Sequence, residues 1–312
     1  MTLTRTIHLI YWKGQINLGD ILSPKLLEEI GENIKTQYCD PRINGTTWLK
    51  ALFRTFVHIY KFLSRDPIIS QYNFLYHDII RLNPFIKPIL AIGSIMESGY
   101  SNCKYWGCGF MRPDSQFKGG HVYAVRGLLT KNKLKGKVSN WNNIAIGDPA
   151  LLLPLWIKPV KEQTEIISII PHWSEIDIFR KKYGELYNII DFRTEDIKKI
   201  VSEISRSQYI LSSSLHGLII SHAYGVPAIW IRETNLGENT ATEFKFHDYF
   251  SSVNIPLYNG FYNHTEVLES TNNVKAFFIE NERLSKINID LKDLQRNLLK
   301  ATPFKIKDKY NI

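Results

Sequence analysis

The stretch Tyr209-Ile210-Leu211-Ser212-Ser213-Ser214-Leu215-His216-Gly217 decides how this chain is read. Its first three residues end an apolar run of strand length, and Leu215 to Tyr224 follows as a short helix closed by Gly225. Ala228 to Ile231 then reads as the next strand, so the whole is a βαβ unit. In an open α/β sheet the C-terminal end of such a strand is where a ligand is held. The helix N-terminus beside it offers free N–H groups to an anion. Three serines and His216 crowd that place. Serines there also cap helices, and a histidine can be a hydrogen-bonded packing residue. The turn alone leaves both readings open.

Outward from this unit the chain alternates. Ile166 to Ile170, Tyr187 to Ile190 and Tyr209 to Leu211 are expected strands, and Ser174 to Lys182 and Thr194 to Arg206 are expected helices. Before them, Thr6 to Trp12, Pro88 to Ile92, Val122 to Arg126 and Ile144 to Ile146 read as strands, with a helix over Ile21 to Ile30. Pro154 to Glu165, with two prolines and a charged run, reads as a linker. Apolar strands separated by helices predict parallel sheets buried on both faces. The fold class expected is therefore α/β, with two Rossmann-like parallel-sheet domains facing a cleft. The expected domains are 1–155 and 166–270, followed by a helical tail at 271–312 placed to cross back onto the first.

An insertion at 46–66 stands outside the alternation. Trp48, Leu49, Leu52, Phe53, Phe56, Val57, Tyr60 and Leu63 recur at helical spacing, with Lys50, Arg54, His58, Lys61 and Arg65 beside them. The pattern fits a helix packed on its own core or one lying in a bilayer interface.

Composition narrows the class. With 312 residues and 44% hydrophobic content, the chain can bury one large core or two moderate ones. Met1 to Arg5 carries no leader pattern and the first apolar run is of strand length, so a cytoplasmic location is expected. Cys39, Cys103 and Cys108 are too few and too oddly spaced for a disulfide framework or zinc ribbon. The net charge of +9 implies an anionic partner, and no nucleic-acid motif directs it to nucleic acid.

Seven short motifs recur in order: Asn17-Leu18-Gly19-Asp20, Ala91-Ile92-Gly93-Ser94, Trp106-Gly107-Cys108-Gly109, Val125-Arg126-Gly127, Gly147-Asp148-Pro149-Ala150-Leu151-Leu152, Ile170-Pro171-His172 and Ser212 to Gly217. In this order the chain resembles the polysaccharide pyruvyl transferase family, in particular its bacterial exopolysaccharide ketal-pyruvate branch. The resemblance implies a fold similar to the B-type glycosyltransferases. It implies transfer of pyruvate from phosphoenolpyruvate to a sugar diol of a surface polysaccharide or its lipid-linked precursor, with peripheral membrane contact as an option. Phosphoenolpyruvate is then the donor substrate, and no cofactor or metal is expected.

That chemistry assigns candidates. Phosphoenolpyruvate places a carboxylate and a phosphate close together, which asks for fixed cations or N–H donors. Arg126, at a strand end, is the first candidate, and as an alternative it is a salt-bridge residue. His216 is the candidate for delivering a proton to the methylene carbon or assisting the departing phosphate. Some family members carry Arg-Leu-His where this chain has Ser214-Leu215-His216, so a cation is missing. Ser213, Ser214 and the helix N-terminus are expected to hold anionic oxygens, with Lys245, or failing that Arg232, supplying the charge. On the other side, Asn17, Gly19 and Asp20 form a turn where Asp20 is either a helix N-cap or a group that binds or deprotonates the acceptor hydroxyl. Gly93, Ser94 and His172 are expected to face the same cleft, while Asp148 reads as a turn residue and His222 as packing. A nucleotide-sugar glycosyltransferase is the alternative enzyme, disfavoured by the lack of a clear Glu at the later strand ends. A sugar-binding scaffold without catalysis is the third class.

Overall fold

The computed structural model describes residues 4–41, 53, 56–57, 59–60, 83–160, 164–232, 240–262 and 264–312. Apart from those five positions, the expected helix within 46–66 lies outside the described residues.

Among the described residues ten strands form two parallel sheets. In the first the order is β2-β1-β3-β4-β5-β6, from β1 (Arg5–Ile10), β2 (Ile34–Cys39), β3 (Ile89–Leu90), β4 (Lys104–Trp106), β5 (His121–Val125) and β6 (Ala145–Ile146). In the second it is β10-β9-β7-β8, from β7 (Ile167–Ile170), β8 (Asn188–Ile189), β9 (Tyr209–Ser212) and β10 (Ala228–Trp230). Every pairing between these strands is parallel. The mixed α/β architecture with parallel sheets is thus present. Strands β2 and β4 were not anticipated. β2 alternates half-exposed and exposed residues along a sheet edge, and β4 is only three residues long, so neither carries an apolar run.

Neighbouring residues on a strand feed different cores, as the pleat requires. Leu9, Ala124, Ile170, Ile210, Ala228 and Trp230 join one large cluster that draws on both sheets. Ile10, Val122 and Val125 enter a second cluster on the other face of the first sheet. Ile169, Leu211 and Ile229 enter a third on the other face of the second sheet. The C-terminal segment lies against the first half of the chain. Trp106 Nε1 donates to Leu298 O (2.9 Å), Gln295 Nε2 to Leu151 O (2.7 Å), and Lys307 N to Ile30 O (2.9 Å). Among the described residues no helix is long and apolar enough to cross a membrane.

Candidate active site

Two helix starts build the site. The first helix, Leu18–Ile30, buries Leu18, Leu22, Leu26, Leu27 and Ile30 at helical spacing. It begins three residues earlier than its apolar pattern suggests, so Asp20 is not its N-cap; Asn17 holds that position. Asn17 Nδ2 donates instead to Asp20 Oδ2 (3.0 Å), which holds the carboxylate at the mouth of the helix. The second helix, Leu215–Ala223, follows β9 directly. Ser214 caps it by accepting from Gly217 N (3.4 Å), and Ser212 Oγ donates to Ile170 O (2.8 Å), tying β9 to β7. A Cβ at Gly217 would fall 2.3 Å from Ser212 Oγ, so only glycine lets the helix begin this close to the strand end.

These starts meet at Gly19 and His216. A Cβ on Gly19 would lie 2.2 Å from His216 Nδ1, so the bare backbone makes room for the imidazole. Around them opens a cavity of about 410 Å³ lined by Asn17, Asp20, Gly93, Ser94, His172, Ser214, His216 and Lys245, with Trp12, Gln15, Met111 and Trp173 also present. It lies beyond the C-terminal ends of β1, β3, β7 and β9, where an open α/β sheet places its ligand. A larger hollow of about 660 Å³, between β6 and the Leu291–Lys300 helix, holds none of the expected residues.

Lys245 is the cation of this cavity. It sits on the Thr240–Val253 helix, which the stacking of Phe246 on Trp230 (3.9 Å between centroids) fixes against β10. Its side chain is partly exposed, and it lines the cavity. Loss of water and repulsion by Arg126 bring its pKa down to about 8, against the attraction of Glu175 and Asp20. Burial likewise raises Asp20 to about 6, with the Asn17 hydrogen bond and Lys245 opposing. Desolvation first, then Arg126 and Lys245, lowers His216 to about 3. His172 falls to about 4, through burial and then Lys245, and its Nδ1 lies 2.8 Å from Ser174 Oγ. Both imidazoles are therefore neutral near pH 7. His216 Nε2 is buried with no hydrogen-bond partner.

Three expected contacts are not in the cavity. Arg126 is fully buried; its guanidinium donates to Asp248 through Nε (3.0 Å) and to Phe110 O through Nη2 (2.8 Å). A Cβ on Gly109 would come within 2.6 Å of both partners, and one on Gly127 within 1.7 Å of Asp248 O, so these motif glycines house the ion pair. Arg126 reaches the cavity only through Ser94, whose Oγ accepts from Nη1 (2.5 Å). Ser213 turns away: its hydroxyl donates to Glu175, and its oxygen accepts from His172 N (2.8 Å). Arg232 pairs with Glu243 and lies over Trp230 and Tyr262, at 5.4 and 4.7 Å.

Of the bland assignments, His222 is buried between Tyr249 Oη (3.0 Å) and Ala228 O (3.1 Å). Asp148 caps the Pro149–Leu152 turn by accepting from Ala150 N (3.0 Å), but it is also fully buried, with Oδ2 unpartnered and its pKa raised to about 6 by desolvation. Sequence reasoning missed Trp12, Gln15, Met111, Trp173 and Glu175. Trp12 and Trp173 directly follow strand-end segments, and that placement was the available signal. Glu175 follows β7 and is 5% exposed, so an acidic residue does stand at a later strand end, though it does not line the cavity.

The molecule so described is an α/β protein with a desolvated lysine, a raised carboxyl and two neutral imidazoles at the C-terminal ends of parallel strands. The sequence model of the polysaccharide pyruvyl transferase family matches residues 117–235, from just before β5 to just after β10. That span holds His172, Ser214 and His216 but not Asp20 or Lys245, and the match supports a transferase. An uncharacterized protein of Acanthamoeba polyphaga mimivirus is 28% identical over 204 residues, covering 62% of this chain and 69% of that relative.

Proposed function

We propose that the protein transfers pyruvate from phosphoenolpyruvate to a sugar diol of a polysaccharide or its lipid-linked precursor on the cytoplasmic side, closing a cyclic ketal. The observation that carries this reading is Lys245, a desolvated cation facing the same cavity as Asp20, His172 and His216 beside the matched strand ends. It lines the cavity together with Ser214, the position at which some family members carry an arginine.

In this reaction the methylene carbon takes a proton and C2 becomes an oxocarbenium-like centre. One sugar hydroxyl adds there and loses its proton; inorganic phosphate then leaves with cleavage of the C2–O bond, and the second hydroxyl closes the ring. Of the two hydroxyl protons released, one balances the proton used at the methylene and the other leaves with phosphate. Lys245 and the Leu215–Ala223 helix N-terminus hold the donor's negative charge. Asp20 is the better acid, since its raised pKa of about 6 rises further beside an anionic donor. Desolvation keeps the His216 imidazole neutral even beside the donor's charge, so it is not the proton donor expected from sequence; its unpartnered Nε2 is left to hydrogen-bond the donor or an acceptor hydroxyl. Trp12 and Trp173 give the cavity flat apolar faces for the acceptor ring.

The test is thermal stabilisation of the pure protein by phosphoenolpyruvate against a panel of nucleotide sugars, followed by phosphate release in the presence of glycan acceptors. Stabilisation by phosphoenolpyruvate is expected. Stabilisation by a nucleotide sugar alone would turn the assignment to a glycosyltransferase.

A further inference from the structure

At the opposite ends of the same strands lies a second basic hollow. The N-terminal residues of β1 and β4 and the segment entering β3 enclose about 260 Å³, lined among others by Arg5, His8, Lys87, Lys104, Phe85 and Phe304. Among the described residues no carboxylate lines it, and Arg5, Lys87 and Lys104 form no ion pair, whereas Lys305 and Lys309 on the same chain find Glu32 and Glu29. Lys104 is half-buried, with Nζ 5.9 Å from the Tyr123 ring centroid, and its pKa is lowered by burial and then by Arg5 and Lys87. The three cations thus repel one another, with no described residue of opposite sign lining the hollow. Like charges gathered at one hollow cost stability unless an anion joins them. Phe85, 90% exposed at its edge, adds an apolar contact that a hydrated ion does not need.

We propose that Arg5, Lys87 and Lys104 form a second anion site, separate from the cavity at the strand C-termini, that holds a phosphate group. The same chemistry is supplied by a free phosphate compound or by the headgroup of an anionic phospholipid. In the second case the exposed Phe85 ring enters the bilayer interface.

Two probes distinguish the sources. Pyrophosphate is titrated calorimetrically, and vesicles of phosphatidylglycerol in phosphatidylcholine are used in a flotation assay beside vesicles of phosphatidylcholine alone. The parent is compared with Lys87→Ala/Lys104→Ala and with Lys135→Ala/Lys137→Ala, a control that removes equal charge from an exposed turn elsewhere. The expected result is that the first variant loses tenfold or more in binding to one probe while the control keeps it. A second pyrophosphate binding event lost only in that variant identifies a free anion. Loss of flotation with anionic vesicles, shared by Phe85→Ser, identifies a headgroup. If neither probe distinguishes Lys87→Ala/Lys104→Ala from the parent, or if the control loses as much, the site does not exist. Stabilisation by phosphoenolpyruvate, read in the same variants, stays at the parental level because the cavity at the strand C-termini is untouched.

Discussion

Two desolvated cations, Arg126 and Lys245, meet opposite treatment. Around Arg126 the protein supplies everything the guanidinium needs: Asp248, the Phe110 carbonyl and Ser94, with Gly109 and Gly127 clearing the space. Around Lys245, three residues before Asp248 on the same helix, the acids Asp20 and Glu175 attract it too weakly to offset lost hydration. A satisfied charge pins the Thr240–Val253 helix to β5. An under-satisfied one is left facing an open cavity. The first thereby holds the second in place.

Breaking that contrast begins with Arg126. Arg126→Met leaves Asp248 buried without its partner, and removal of one member of a buried pair costs about 3–5 kcal/mol. Chemical denaturation should show that loss; a variant as stable as the parent would mean the pair is not what fixes this helix. Lys245→Ala should behave in the opposite way. Donor binding weakens by roughly tenfold or more, about 1.4 kcal/mol, while unfolding stability stays level or rises because a desolvated charge is gone. Calorimetry with phosphoenolpyruvate checks the first part and thermal melting the second. Unaltered donor affinity would return Lys245 to a structural role.

Smaller changes sharpen the site. Ser214→Ala removes the cap of the Leu215–Ala223 helix and should cost about 1 kcal/mol of stability, with a weaker effect on donor binding than Lys245→Ala. The reverse ranking in the titration would make the hydroxyl, not the lysine, the main anion contact. A further comparison concerns pH. Because Asp20 is raised from 3.8 to about 6, the folded state binds more protons than the unfolded one between those values, so this group's contribution to stability falls as pH rises through them. Asp20→Asn should therefore be more stable than the parent at pH 7, with the gap closing below about pH 4. If Asp20 donates the proton, kcat/KM should also fall as pH rises past its titration. A rate that instead falls toward acid would make Asp20 the base.

Parallel strands buried on both faces must be apolar throughout, and that is why the βαβ units around Ser212–Gly217 and Ile166–Ile170 were legible from the chain alone. The same holds for Gly93, His172 and His216, whose positions just past strand ends bring them to one cavity. Strand β2 was hidden because an edge strand with one wet face carries no continuous apolar run. Arg126 and Lys245 were both visible as cations, but a one-dimensional pattern cannot say which charge has a partner. Asp248 lies 122 residues from Arg126 and reaches it only after both sheets have packed. Local periodicity and turn chemistry thus determine the elements and where their ends converge. Which charge is neutralised and which is left facing a cavity depends on contacts between residues far apart in sequence, and those exist only in the folded chain.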